Sequence, residues 1–270
     1  MILTEFLFFV AVGCGVGFVA GLFGVGGGFI TVPILIFSYE HSGFSPAVLT
    51  HMAIGTSLFV VLFASIASAY QHGKQKNIDW RSVFLIGFSS AATAFVTAQL
   101  AAGLSGKHLR ITFAIIVGLA ALRMLTESTE QAQKKLDLAS KPSTFGLVSV
   151  GLTVGVVSAL AGIGGGVFSI PIMYYFLKMP LKLAIGTSSA TIFITALFSV
   201  IGYVIGGMDC QGLPGWNLGF VDLQRGIAIA IGTTLLAKTG AHVSFKTHPF
   251  RLKKFFALFV ILMAIYLLVK

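Results

Sequence analysis

Charge is what this chain has least of. Only 10% of its 270 residues are Asp, Glu, Lys or Arg, against roughly 25% in a soluble domain. With 56% hydrophobic residues and a mean hydropathy of +0.97, it lacks the polar coat that water would demand. Acid is scarcer still. All 8 acidic residues (Glu5, Glu40, Asp79, Glu127, Glu130, Asp137, Asp209, Asp222) fall in or beside predicted loops. A cation or Na⁺-coupled carrier usually holds a carboxylate inside the bilayer, and none is evident. The two cysteines, Cys14 and Cys210, form no CxxC pair, which argues against a disulfide framework or a metal site. No long alternation of polar and apolar residues supports a barrel. No G-x-S-x-G occurs, and His51 has no sequence-evident serine beyond Ser57, so a membrane-embedded hydrolase is the weaker alternative. The net charge of +10 invites a nucleic-acid reading, but the 18 Lys and Arg sit mostly in short loops between apolar spans. No nucleic acid, cofactor or metal is expected.

What is present in quantity is apolar length. Ala47–Tyr70, Val83–Leu104, Ile111–Leu125, Leu183–Ile205 and Phe255–Val269 are stretches fit for a bilayer span. The amino-terminal stretch MILTEFLFFVAVG lacks a basic leader and carries Glu5, so it reads as a retained first span. The class is a multi-pass, all-α transmembrane bundle.

Glycine is abundant and oddly placed. GVGGGFITVPIL at Gly24–Leu35 is echoed by GIGGGVFSIPIM at Gly162–Met173. Each has three adjacent glycines, Gly26–Gly28 and Gly164–Gly166, with a proline five residues after the last, Pro33 and Pro171. Glycine in a helix interior costs roughly 1 kcal/mol relative to alanine, so a triple glycine favours a break. The segment AIGTS at Ala53–Ser57 recurs letter for letter at Ala184–Ser188. Weaker echoes pair Asn77–Trp80 with Phe220–Leu223 and Leu109-Arg110 with Arg251-Leu252. The chain therefore divides into a first repeat (1–125), a polar linker (126–142) and a second repeat (143–270). Each repeat reads as a helix entering the glycines, a short apolar piece (Phe29–Ser38, Val167–Leu177) and three longer spans. About ten residues at 1.5 Å each cannot cross roughly 30 Å of hydrocarbon, so each short piece is a half-helix.

Loop charges set the orientation. If each repeat crosses an odd number of times, the halves are inverted. One side then holds all but Lys107, Arg110, Arg225 and Lys270 of the 18 basic residues. An even number of crossings splits them equally. The positive-inside rule favours two inverted repeats, both termini outside and the linker, with Lys134 and Lys135, in the cytoplasm.

The paired G-x-G-G-G-x-x-x-x-P motifs, the duplicated GTS and the basic loop before the last span resemble the TauE/SafE family of membrane permeases over nearly the full length. That resemblance implies a secondary transporter in the cytoplasmic (inner) membrane, exporting small anions such as sulfite, organosulfonates or carboxylates. An anion channel is the alternative within the class.

The residues support an anion on their own terms. Broken helices in inverted repeats build midplane sites, and a half-helix N-terminus carries partial positive charge. Glycines can also serve close helix packing. Their duplication before two half-helices favours an anion-binding role for Gly26, Gly27, Gly28, Gly164, Gly165 and Gly166. His51 and Lys182 each precede their AIGTS by two residues and are the candidate compensating charges. Lysine keeps its charge while histidine titrates near neutrality. Span-end snorkelling and a local hydrogen bond are their structural readings. Thr56, Ser57, Thr187 and Ser188 are candidate hydrogen-bond donors, although such hydroxyls also bond back to helical carbonyls. The expected partners are a small inorganic or organic anion and the lipid bilayer, with a homodimer allowed.

Overall fold

The computed structural model describes residues 3–23, 25–109, 111–112, 114–115, 142–210, 213 and 215–246. The linker with Lys134 and Lys135, most of Ile111–Leu125 and the stretch Phe255–Val269 lie outside the described residues. In chain order the described elements are α1 (Leu3–Phe23), α2 (Gly28–His41), α3 (Pro46–Lys74), α4 (Trp80–Ala102), α5 (Thr144–Ala161), α6 (Gly166–Tyr175) and α7 (Leu181–Gly207). A two-residue hairpin follows, β1 (Asn217–Leu218) and β2 (Val221–Asp222), and then α8 (Leu223–Lys246). Six of the described helices are long and apolar enough to cross a membrane.

The helix starts follow local chemistry. Ser45 caps α3, its hydroxyl accepting from Ala47 N at 3.4 Å, and Pro46 takes the first turn, where its missing N–H costs nothing. Ser143 caps α5 by accepting from Gly146 N at 3.1 Å. Both glycine-broken pieces are helices of half length. α6 has 10 residues, about 15 Å, and ends near its expected limit. α2 has 14 and runs one turn past the expected Ser38, to His41.

Small residues decide which helices touch. Gly13, Gly17 and Gly21 on α1 lie against the backbone of Ile229, Thr233 and Ala237 on α8. Both series ascend together, so the two helices run side by side in the same direction. Gly151 and Gly155 on α5 meet Ile86 and Ser90 on α4 in the same way. A side chain at these contacts would force the backbones apart, which is why small residues line close helix crossings in membranes. α3 and α7 run in opposite directions, Ser68 meeting Ser189 at 3.0 Å and His72, farther along α3, lying beside Gly186, earlier in α7. The buried core gathers around them, including Leu35, Met52, Ile54, Leu58 and Tyr203. Large apolar side chains such as Phe84, Phe88, Phe145 and Leu235 point outward instead, as a bilayer-facing surface requires.

Candidate functional site

The two glycine turns pack against one another. Gly26 and Gly27 have φ of 80° and 78°, Gly164 and Gly165 of 78° and 82°. Side chains rarely enter that left-handed region, so only glycine turns the chain here without strain. A Cβ on Gly28 would strike the Gly162 carbonyl and come 2.7 Å from Ile163 Cα. One on Gly166 would come 2.8 Å from Val25 Cα. Val61 of α3 and Ile192 of α7 close in beside both Gly26 and Gly164.

At this crossing the N-termini of α2 and α6 come together. Helical geometry gives the opening amides, Gly28 and Gly166, no intrahelical acceptor, while Ile30 and Phe168 already bond to the Gly27 and Gly165 carbonyls. Each terminus carries roughly half a positive charge. Hydroxyls surround them. The Ser57 hydroxyl lies 2.8 Å from the Gly162 carbonyl and 3.3 Å from that of Gly28, bridging the two turns. Ser188 meets Ser169 at 2.7 Å. Ser158, buried beside Gly165, has a hydroxyl with no hydrogen-bond partner among the described residues.

The remaining candidates separate. Thr56 Oγ1 accepts from Asp222 N at 2.8 Å and faces the Tyr39 hydroxyl at 3.3 Å. Thr187 Oγ1 accepts from Asp79 N at 3.0 Å. The preceding glycines fit the same arrangement: Gly55 lies under the Phe220 carbonyl and Gly186 under that of Asn77. Each AIGTS therefore seats the segment entering the last described helix of the opposite half. His51 is buried, with Nε2 2.9 Å from the Leu104 carbonyl and its ring stacked on Phe220 at 5.0 Å. Lys182, its counterpart in the repeat, is exposed at the start of α7. Asp222 ends β2 beside the start of α8 and is 4% exposed. Its carboxylate accepts from the backbone N–H of Gln224 and Arg225 and from the Arg225 guanidinium. Sequence reasoning counted Arg225 only as a loop charge. The signal that marks it is the echo of Asn77–Trp80 in Phe220–Leu223, which sets Arg225 in the place of Ser82.

Among the described residues, six helices long and apolar enough to cross a bilayer and two half-length helices that start at glycine turns define a multi-pass membrane protein. The model of the sulfite exporter TauE/SafE family matches residues 9–267. A probable membrane transporter protein of Methanocaldococcus jannaschii is 32% identical over 90% of this chain and 88% of its own length. One of Haemophilus influenzae is 29% identical over 99% of both chains. No solved structure matches the chain. The chain belongs to the sulfite exporter TauE/SafE family.

Proposed function

We propose that this protein is a secondary transporter that exports a small oxyanion, of the sulfite, organosulfonate or carboxylate class, across the cytoplasmic membrane. The observation that carries this reading is the meeting of the α2 and α6 N-termini at the glycine turns. Two like partial charges pressed together in a dry interior repel, and an anion between them relieves that repulsion. The buried Ser158 hydroxyl beside Gly165, which has no partner among the described residues, can donate to its oxygens, and of the bonded pair Ser169 and Ser188 one hydroxyl can turn to do the same. The two repeats are inverted in the membrane, a reading supported by the parallel course of α1 with α8 and of α4 with α5, and by the opposed course of α3 and α7. Each contact then maps onto its partner when the halves are exchanged. Lys182, exposed at the start of α7, supplies full positive charge on one approach.

The test is flux in proteoliposomes of the full chain, loaded in turn with sulfite, methanesulfonate and acetate. At least one anion is expected to move faster than through empty liposomes. An inserted, monodisperse protein that moves none of them overturns the reading.

A further inference from the structure

Among the described residues, Arg225 is a mostly buried cation that belongs to neither the glycine turns nor the AIGTS segments. Arg225 opens α8 with its side chain 13% exposed. NH1 donates to Asp222 Oδ2 at 3.0 Å and NH2 to the Ser42 hydroxyl at 2.9 Å. Nε is buried with no hydrogen-bond partner among the described residues. Three rings, Phe9, Tyr39 and Phe44, surround the guanidinium at 5.6, 5.0 and 5.2 Å from their centroids. Such a cage removes water from a cation while leaving its in-plane N–H groups free to bind an oxyanion.

These contacts form a polar chain. Ser42 is exposed. From it the hydrogen bonds pass through Arg225 and Asp222 to Thr56. The next residue is Ser57, which bridges the two glycine turns. A surface position is thus joined by polar groups, with a single guanidinium on the way, to Thr56, the sequence neighbour of the serine at the candidate site.

The Asp222 carboxylate is held in a particular manner. Oδ1 takes two backbone N–H groups at the start of α8, while only Oδ2 takes Arg225. It can lose the arginine and stay anchored. The guanidinium can then turn its N–H groups to another anion. We propose that Arg225 is the residue that recruits the transported anion at this mouth, with the Asp222 carboxylate occupying the anion's place until it arrives. This rests on the transport reading above. It also gives the two mouths different characters, because the corresponding position in the first repeat is Ser82, whose hydroxyl donates to Asp79.

The experiment measures KM and kcat for sulfite in proteoliposomes of wild type, R225Q, R225K and D222N, with thermal stability of each in detergent. R225Q is expected to raise KM about 10- to 100-fold, the scale of a hydrogen bond to a charged group, with kcat much less affected. R225K should lie between it and wild type. D222N keeps Oδ1 as an acceptor for both backbone N–H groups but removes the competing charge, so KM should fall. If R225Q fails to insert, opposite KM shifts in R225K and D222N carry the same prediction. Arg225 as a purely structural lock would lower stability in R225Q and D222N alike and leave KM unmoved, and that result overturns the proposal alone. A wild type that moves no sulfite overturns the proposal together with the sulfite form of the transport reading.

Discussion

The two AIGTS segments do the same backbone work and differ in charge. In both, the glycine admits a carbonyl from the opposite half and the threonine accepts the N–H of an aspartate two residues farther on. Around Asp79 the remaining partner is the Ser82 hydroxyl. Around Asp222 it is a guanidinium, with Tyr39, Ser42 and Phe44 gathered on it. Those three residues lie at or just beyond the extra turn by which α2 exceeds α6. The repeat thus fixes how the halves hold each other, while a short extension on one side adds a caged cation. Shared architecture and specialised chemistry sit on different residues, and substitutions can tell them apart.

The largest effect should come from what the halves share most closely. Gly27→Val and Gly165→Val each put a β-branched residue at a left-handed φ and against a valine, Val16 or Val154. Strain and overpacking together cost about 2–6 kcal/mol. Both variants are expected to lose flux while still reaching the membrane, and a functional Gly165→Val beside a dead Gly27→Val would break the equivalence.

A smaller cost is expected from alanine at the crossing glycines. A Cβ at Gly55 would stand 2.7 Å from the Phe220 carbonyl, and one at Gly186 closer still to that of Asn77. Each should lower stability by about 1–3 kcal/mol, with Gly186→Ala the worse. Thermal unfolding in detergent ranks them, and the reverse order would show that the first crossing is the tighter.

An effect no larger than this should come from Thr56→Val and Thr187→Val. Each strands a backbone N–H, at a cost of about 1–3 kcal/mol where it is buried. Thr56→Val should be the more harmful, since Asp222 is the more buried aspartate and the Tyr39 hydroxyl loses its neighbour too. Equal unfolding temperatures would mean that Tyr39 adds nothing to this crossing.

Much of this was legible in the sequence. Triple glycines followed by ten apolar residues and a proline announce a broken helix, because backbone propensity and span length are local properties. The matched AIGTS segments announced importance without announcing a partner. Their partners lie 166 and 108 residues away along the chain, and no periodicity reports a contact of that range. Asp222 was legible as a residue in or beside a loop, yet at the end of β2 it is buried. Arg225 was hidden for a related reason. Charge counting assigns a loop arginine to topology, and only the alignment of Asp79 with Asp222 shows that it replaces a serine.

The side-by-side glycine seam of α1 and α8 has a consequence in time as well as in space. α5 finds its partner α4 already made, some forty residues earlier. α1 ends at Phe23 and α8 begins at Leu223. At about 5–20 residues per second the ribosome needs roughly 10–40 s to supply that partner. Throughout that interval the face with Gly13, Gly17 and Gly21 stands open to lipid or to the insertion machinery. The second half is assembled as it emerges, whereas the first must be kept waiting.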